Sequence, residues 1–414
     1  MARWVWRPRN RRVLRLGDEG SSVAWLQERL QSLGYEVGAI DGSYGFLTED
    51  CICSLQREHG LRVDGIAGPE VMELLHDPEI RGLDRKVMVW GASHGDLGDL
   101  SRALGHDPHL HMEQRINGLL LYCFSINDDG SISGELPATD YPKTGSKQMK
   151  LVPVISNLNQ DVYDEFAVEA LLRHSHTRKW LLETVRRVVA NPRIDGVGLD
   201  LQKVGLGYGR RFAALLHEAR DLVNHYHKRM YMVLIPASGN LTLPRNVDRR
   251  IWRTVPDRVI LQASRQYVEG QPGPKLGIKW MQKQLEKVWL YLPPWKLIVA
   301  LPVDGVAWRV GDAVREYNYL SYDEVRKLAY QKQAKIQWDT AENVPYCDFV
   351  GAQGRFRVWF ENRDSMRPKL EWLSNQHLAG VAFMPIGGED SRIWREIENL
   401  SIFTDIVRDG LAYK

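Results

Sequence analysis

Residues 194–202 read IDGVGLDLQ. Val197, Leu199 and Leu201 alternate with Gly196, Gly198, Asp200 and Gln202, the period of two that sends successive side chains to opposite faces of a strand. One face is apolar, and the other ends in a carboxylate and a carboxamide, so the strand tip should meet something polar. Seven further apolar, β-branched runs accompany it: KVMVWGAS (86–93), INGLLLYCFSIN (116–127), KLVPVISNL (150–158), RMYMVLIPA (229–237), RVILQA (258–263), KLIVALPV (296–303) and LAGVAFMPI (378–386). Amphipathic stretches such as TRKWLLETVRRVVANP and RRFAALLHEARDLVNHYHK separate them. Near-continuous apolar strands alternating with helices indicate a parallel sheet covered on both faces. Eight such units in about 330 residues predict an α/β fold, a (β/α)8 TIM barrel over 86–404.

The interval before the last run is too long for one helix. Strand-like pieces at Lys335–Trp338, Pro345–Phe349 and Arg355–Phe360 predict an inserted α+β lobe at about 305–360, on the face where barrel enzymes keep their sites.

Ahead of the barrel the pattern is helical. Val23, Leu26, Gln27 and Leu30 recur at helical spacing, as do Cys51, Ile52, Leu55 and Gln56, and then Val71, Leu74 and Leu75. Three short helices follow. Gly34 caps the first, Asp41-Gly42 turns, Thr48 is read as the N-cap of the second, and Pro69 opens the third.

Composition narrows the function classes. The chain has 414 residues, 55 basic against 52 acidic side chains, and a net charge of +3, a balance that implies no nucleic-acid partner. The first twelve residues, with five arginines and two tryptophans, are read as a solvated arm or as a contact for an anionic surface. They lack the apolar core of a secretory signal, and no apolar run approaches the ~20 residues that span a bilayer. Cys51, Cys53, Cys123 and Cys347 are scattered and read as reduced thiols. His106, His109 and His111 lack a completing ligand, and Gly205, Gly207 and Gly209 have the wrong spacing for a dinucleotide loop. Neither a metal nor a cofactor is expected.

Residues 13–76, with GDEGSSVAWLQERLQSLGY, DGSYGFLT and DGIAGP, resemble the three-helix peptidoglycan-binding domain of bacterial wall hydrolases. Cys51, Leu55 and Val71 depart from the usual Ala, Phe and Thr. The resemblance implies that exposed polar groups at Asp41, Ser43, Tyr44 and Arg62 touch glycan or stem peptide. Residues 1–12 and 77–85 flank this unit as arm and linker.

The barrel, with DGVGLDL on its fourth strand and AKIQWD and RVWFEN in its lobe, is similar to glycoside hydrolase family 18, in particular its spore-cortex and peptidoglycan N-acetylglucosaminidase branch. The family's fourth-strand motif is Asp-Gly-x-Asp-x-Asp-x-Glu. Its glutamate gives the leaving oxygen a proton, while the substrate's own acetamide, held by an aspartate and a tyrosine, stabilises the oxocarbenium-like centre. Here Gln202 stands at the glutamate and Gly198 at the middle aspartate; Asp195 and Asp200 remain. A carboxamide can hydrogen-bond a glycosidic oxygen but cannot surrender a proton. The family's Met-x-Tyr-Asp on the sixth strand corresponds to the stretch around Ser264 and Arg265, and its eighth-strand tryptophan to Met384. Asp195, early in the strand, is read as a structural carboxylate; Asp200 should face the barrel interior or mouth and pair with Arg265.

General acid catalysis is worth ~10²–10⁴ in rate and electrostatic stabilisation another ~10²–10³, so the site is expected to hold glycan without cutting it. Trp90, Tyr122, Phe124, Tyr267, Trp308 and Trp359 are the candidate stacking platforms. The expected ligand is peptidoglycan or another N-acetylglucosamine-containing glycan, with a spore or wall protein as a second candidate partner. The resemblance places the protein in the wall or a spore layer of a Gram-positive spore former, made in the mother cell. An active cortex-lytic N-acetylglucosaminidase and a structural spore-layer component are the competing expectations.

Overall fold

The computed structural model describes residues 13–35, 37–77, 80, 88–94, 116–136, 143–144, 147–159, 162–235, 247–264, 272–310, 317–352 and 354–400. The basic arm, most of 77–85, the three histidines at 106–111, Arg265 and Tyr267 lie outside the described residues. The chain divides into two units, 1–85 and 86–414.

The first unit is three helices, α1 (Ser21–Ser32), α2 (Phe46–Glu58) and α3 (Pro69–His76). Val23, Leu26 and Leu30 from α1, Cys51, Ile52 and Leu55 from α2, and Val71 and Leu75 from α3 form its core. Gly34, at φ 92°, ends α1: its N–H reaches Gln31 O and that of Tyr35 reaches Leu30 O, satisfying carbonyls the helix leaves open. Two helix glutamines brace the turns. Gln27 donates to Asp41 Oδ1 at 3.0 Å and accepts from Gly42 N; Gln56 donates to Asp64 Oδ1 at 2.8 Å and accepts from Gly65 N. Thr48 is not the N-cap expected of it. Gly45 is, and Thr48 lies buried inside α2, where Gln27 Nε2 reaches its hydroxyl. Two residues before it, Phe46 already takes helical conformation, because the Gln27 network fixes the turn that starts the helix.

In the second unit eight parallel strands close on themselves: β1 (Met88–His94), β2 (Gly118–Ile126), β3 (Lys150–Ser156), β4 (Gly196–Asp200), β5 (Arg229–Leu234), β6 (Arg258–Gln262), β7 (Leu297–Pro302) and, after the lobe, β13 (Gly380–Met384). Closure is made by β1, which pairs with both β13 and β2. All five residues of β4 are buried. Val197 and Leu199 point outward into the layer shared with α4 (Glu165–Arg173), α5 (Ser175–Val189) and α6 (Gly209–His225), while Trp90, Leu120, Val154, Tyr231, Val233, Ile260 and Ala300 fill the interior. The inside is a packed core. Gly118 leaves room for it: a Cβ there would stand 2.5 Å from Trp90 Cζ3.

The lobe is a five-stranded antiparallel sheet. Its strands are β8 (Gly305–Val310), β9 (Tyr317–Leu320), β10 (Ile336–Asp339), β11 (Val344–Gly351) and β12 (Gly354–Phe360), in the order β9-β8-β12-β11-β10. Ala307, Cys347, Val358 and Phe360 pack one face against Val325 and Ala329 of the helix Tyr322–Gln331, which opens with a capping box from Ser321 and Glu324. The other face carries Val306, Trp308, Val344, Tyr346 and Trp359. Where β12 ends, Glu361 and Lys369 form a fully buried ion pair, and Ser365 donates to the same carboxylate. The four cysteines are thiols rather than disulfides, and burial pushes the Cys123 thiol up to about 12.

Candidate functional site

The C-terminal ends of β3 and β4 carry the polar cluster. Register pairs Ser156 with Asp200 and Val154 with Gly198. The Asp200 side chain is fully buried, a position that costs several kcal/mol unless hydrogen bonds replace the lost water. Among the described residues, donors that do so include Tyr163 Oη to Oδ2 at 2.8 Å, Ser156 Oγ to the same oxygen at 3.3 Å, and Gln202 Nε2 to Oδ1 at 2.7 Å, with Tyr122 hydrogen-bonded as well. Arg265, the partner expected from the sequence, lies outside the described residues. The Tyr163, Ser156 and Gln202 donors are neutral hydroxyl and amide groups.

Among the described residues, Gln202 is held at every polar group but its side-chain oxygen. Its backbone N–H donates to Asn157 Oδ1 at 2.9 Å, its carbonyl accepts from Asn157 Nδ2 at 3.1 Å, and Nε2 donates to Asp200 and, at 2.9 Å, to Val233 O. Both neighbours of Nε2 are acceptors, which fixes the amide's orientation. The expectation that this amide would donate to a glycosidic oxygen is therefore corrected: both its N–H groups are spent inside the barrel, and what it can offer a ligand is the carbonyl oxygen, an acceptor.

Gly198 faces the interior beside Val154. A Cβ at Gly198 would stand 2.9 Å from Val154 Cγ2, so the space an aspartate would need is taken by the valine. Across the barrel, Gln262 Nε2 donates to Tyr122 Oη at 3.3 Å and lies 3.4 Å from Met384 Sδ. Burial, and after it the negative Asp200, hold the Tyr122 phenol well above its usual range, so it is a neutral hydroxyl. The inward sixth-strand position at this level is thus Gln262, with Ser264 half-exposed just past the strand end. Asp195 takes the Leu151 N–H at 2.8 Å, at the opposite end of β4.

Most of the expected stacking platforms are not platforms. Trp90 is 1% exposed and packs edge-on against Tyr231 at 5.6 Å; β1 runs on to His94, which leaves Trp90 deep in the barrel. Phe124 should share the inner face with Tyr122 by simple alternation, but the β2–β3 register shifts between Tyr122 and Phe124. That bulge turns Phe124 outward into the helix-facing core, beneath the Arg187 guanidinium at 5.6 Å. Trp308 and Trp359 are buried on the lobe, their indoles donating to Gly273 O at 2.8 Å and Asp339 Oδ2 at 3.3 Å. Tyr346 beside them is half-buried, with Arg357 4.3 Å from its ring. In the first unit Tyr44 is 1% exposed and donates to Gly65 O at 2.9 Å, a core role in place of the contact role expected. Asp41 is exposed, and its carboxyl is held low by the Gln27 and Ser43 hydrogen bonds; Ser43 is half-exposed and Arg62 exposed.

Ser156, Asn157 and Tyr163 are site residues that sequence reasoning passes over, whereas Gln262 belongs to the altered sixth-strand stretch already noted in the sequence. The signal for the first two was available, since SN ends a predicted barrel strand at the functional face. A second buried carboxyl stands at the end of β7. Asp304 pairs with Lys275, whose ammonium lies 3.8 Å from the Tyr319 ring centre. Burial pushes its carboxyl above the usual range against the pull of Lys275, and Oδ1 has no hydrogen-bond partner among the described residues. Among the described residues no group of three His, Cys, Asp or Glu is placed to hold a metal ion, and no helix is long and apolar enough to cross a membrane.

A closed eight-stranded barrel with polar groups gathered at strand C-termini and a lobe inserted after β7 defines the class, a TIM-barrel protein with its site at the strand ends. Residues 125–388 match the family described as "Glycosyl hydrolases family 18", and residues 19–75 match "Putative peptidoglycan binding domain". The chain belongs to glycosyl hydrolase family 18 and carries a peptidoglycan-binding domain ahead of the barrel. It is 20% identical over 324 residues to the glycosylase YvbX of Bacillus subtilis, covering 75% of this chain and 90% of that one. It is 22% identical over 264 residues to the cortical fragment-lytic enzyme of the same organism, covering 61% and 60%. The solved spore cortex-lytic enzyme SleL of Bacillus megaterium superposes with a TM-score of 0.64 at 18% identity, over 78% of this chain and 76% of that one, a likeness of fold.

Proposed function

We propose that this protein binds the glycan of a bacterial wall or spore layer through two units, and that its barrel holds N-acetylglucosamine-containing chains without hydrolysing them. The observation that carries this reading is the clamped carboxamide of Gln202, which presents an acceptor where family 18 needs a proton donor. Gly198, backed by Val154, and a sixth-strand stretch Leu261-Gln262-Ala263-Ser264-Arg265 that lacks the family's tyrosine and aspartate support it. Sugar binding needs hydrogen-bonding groups and ring faces rather than an acid, so the Gln202 side-chain oxygen can still serve it. The cortical fragment-lytic and cortex-lytic relatives support a spore or wall location; synthesis in the mother cell is part of the same proposal, and a structural role in a spore layer is compatible with binding alone. Residues 13–76 would act as the docking module, 77–85 as the linker and 86–404 as the barrel.

Active cortex lysis is the second reading, favoured by the same relatives and by Asp304, whose carboxyl is held in its protonated direction by burial at a strand end. The deciding experiment incubates the full chain with muropeptides and with spore cortex, follows reducing ends, and measures co-sedimentation with insoluble peptidoglycan. Binding without reducing-end release above buffer is expected. Release that disappears in Asp304→Asn or Asp200→Asn would replace the binding reading with the hydrolytic one.

A further inference from the structure

Outside the barrel, the hairpin that follows β2 and the helix α5 border an open pocket of about 310 Å3 lined by Ser131, Ile132, Trp180, Glu183, Thr184 and Arg187, at the lower end of the ~300–1,000 Å3 common for ligand sites. We propose that it is a second saccharide site, separate from the barrel mouth, that takes pyranose units of a β-linked amino-sugar glycan. The inference rests on the glycan-binding reading above and extends it to a new place on the molecule.

The lining has two parts of different chemistry. Trp180 is 44% exposed, an open indole of the kind the buried Trp90, Trp308 and Trp359 do not supply. It is braced from one side, with His176 edge-on at 5.1 Å and His174 stacked on His176 at 5.4 Å. An indole held this way can receive the C–H face of a sugar ring. Around it stand a carboxylate, a guanidinium and two hydroxyls, the groups that accept from and donate to sugar hydroxyls. Glu183 uses Oε2 on Arg186 at 3.3 Å, and Arg187 lies over the Phe124 ring. One acid and one base give the cavity no net charge, which favours a neutral polyol over a phosphate or nucleotide.

The walls are preformed. Gly130 N donates to Asn127 O and Asn127 N to Ser131 O, closing the hairpin, and Asn127 Nδ2 donates to Ser131 Oγ at 2.8 Å. The turn lies hard against the α4–α5 junction: a Cβ at Gly130, whose φ is +81°, would stand 2.8 Å from Thr177 Cγ2. Little ordering is left for a ligand to impose. A polymer offers many repeats, so a second weak site raises retention of one strand without any new contact at the first.

The test uses the full chain labelled with 5-fluorotryptophan and methyl-13C methionine, titrated with the β-1,4 tetramer of N-acetylglucosamine. Trp180, assigned by Trp180→Phe, reports on the cavity, and Met384 on the barrel mouth. A saturable Trp180 shift, weakened about tenfold in Glu183→Gln through loss of one charged hydrogen bond, is expected. A Met384 shift with an unmoved Trp180 overturns the second site and leaves the barrel reading standing. A Trp180 shift with an unmoved Met384 supports the site and overturns binding at the mouth, and silence at both overturns the two together.

Discussion

Replacing Gln202 by glutamate puts the family's acid back where the structure holds an amide, and the consequences follow from two distances. Gln202 Nε2 lies 2.7 Å from Asp200 Oδ1 and 2.9 Å from Val233 O. In Gln202→Glu an oxygen meets these two acceptors, and two carboxylates 2.7 Å apart repel by ~6 kcal/mol at an effective dielectric constant of about 20. That is enough to raise the pair's proton affinity by about four pH units, so one proton is shared between the introduced carboxyl and Asp200. A folded-state value above the unfolded one leaves stability intact at low pH and removes it as pH rises. The variant should come nearest the native chain around the unfolded glutamate value of about 4.3, short of it by about 1–3 kcal/mol because a single O–H cannot serve both Asp200 and Val233 O, and lose up to a further ~5 kcal/mol by pH 8. Urea midpoints of the barrel transition at pH 4.5 and pH 8 measure this. The shared proton also supplies the missing acid, so reducing-end release from muropeptides should rise, by no more than the ~10²–10⁴ that general acid catalysis contributes. Equal loss of stability at both pH values would mean that the amide does not face Asp200, and native turnover equal to the variant's would put the proton donor elsewhere.

Gly198→Ala should cost about 1–3 kcal/mol by overpacking against Val154, and much of that cost should vanish in Gly198→Ala with Val154→Ala; additive losses in the double-mutant cycle would show that the two do not meet. Tyr44→Phe leaves the Gly65 carbonyl without its buried donor and should destabilise the first unit by about 1–3 kcal/mol in thermal melts, whereas a contact residue would change peptidoglycan co-sedimentation instead. Asp304, held above the ordinary carboxylate value of about 3.9, contributes stability that falls as pH rises through its folded value. Asp304→Asn should flatten that part of the stability-versus-pH curve, and an unchanged slope would exclude Asp304 as its source.

Several features were legible along the chain because they are local. The period of two in IDGVGLDLQ and its seven companions depends only on residues a few positions apart, and so do the glycine cap at Gly34 and the turns at Asp41-Gly42 and Asp64-Gly65. The replacement of an acid by Gln202 needs no structure to be seen. The direction of its amide does, because the partners that orient it, Asn157 and Val233, lie 45 and 31 residues away and are brought there by the pairing of β4 with β3 and β5. Alternation places Phe124 beside Tyr122, but a register shift in β2, set by its pairing with β3, turns it outward. Trp90 reads as the end of a strand because the apolar run stops near it, while the hydrogen-bonded ladder continues to His94. Local periodicity thus decides that a strand exists and which residues share a face. How deep each residue sits, and which polar groups are already satisfied, is decided by closure of the barrel, since burial and hydrogen bonding there are properties of neighbours distant in sequence.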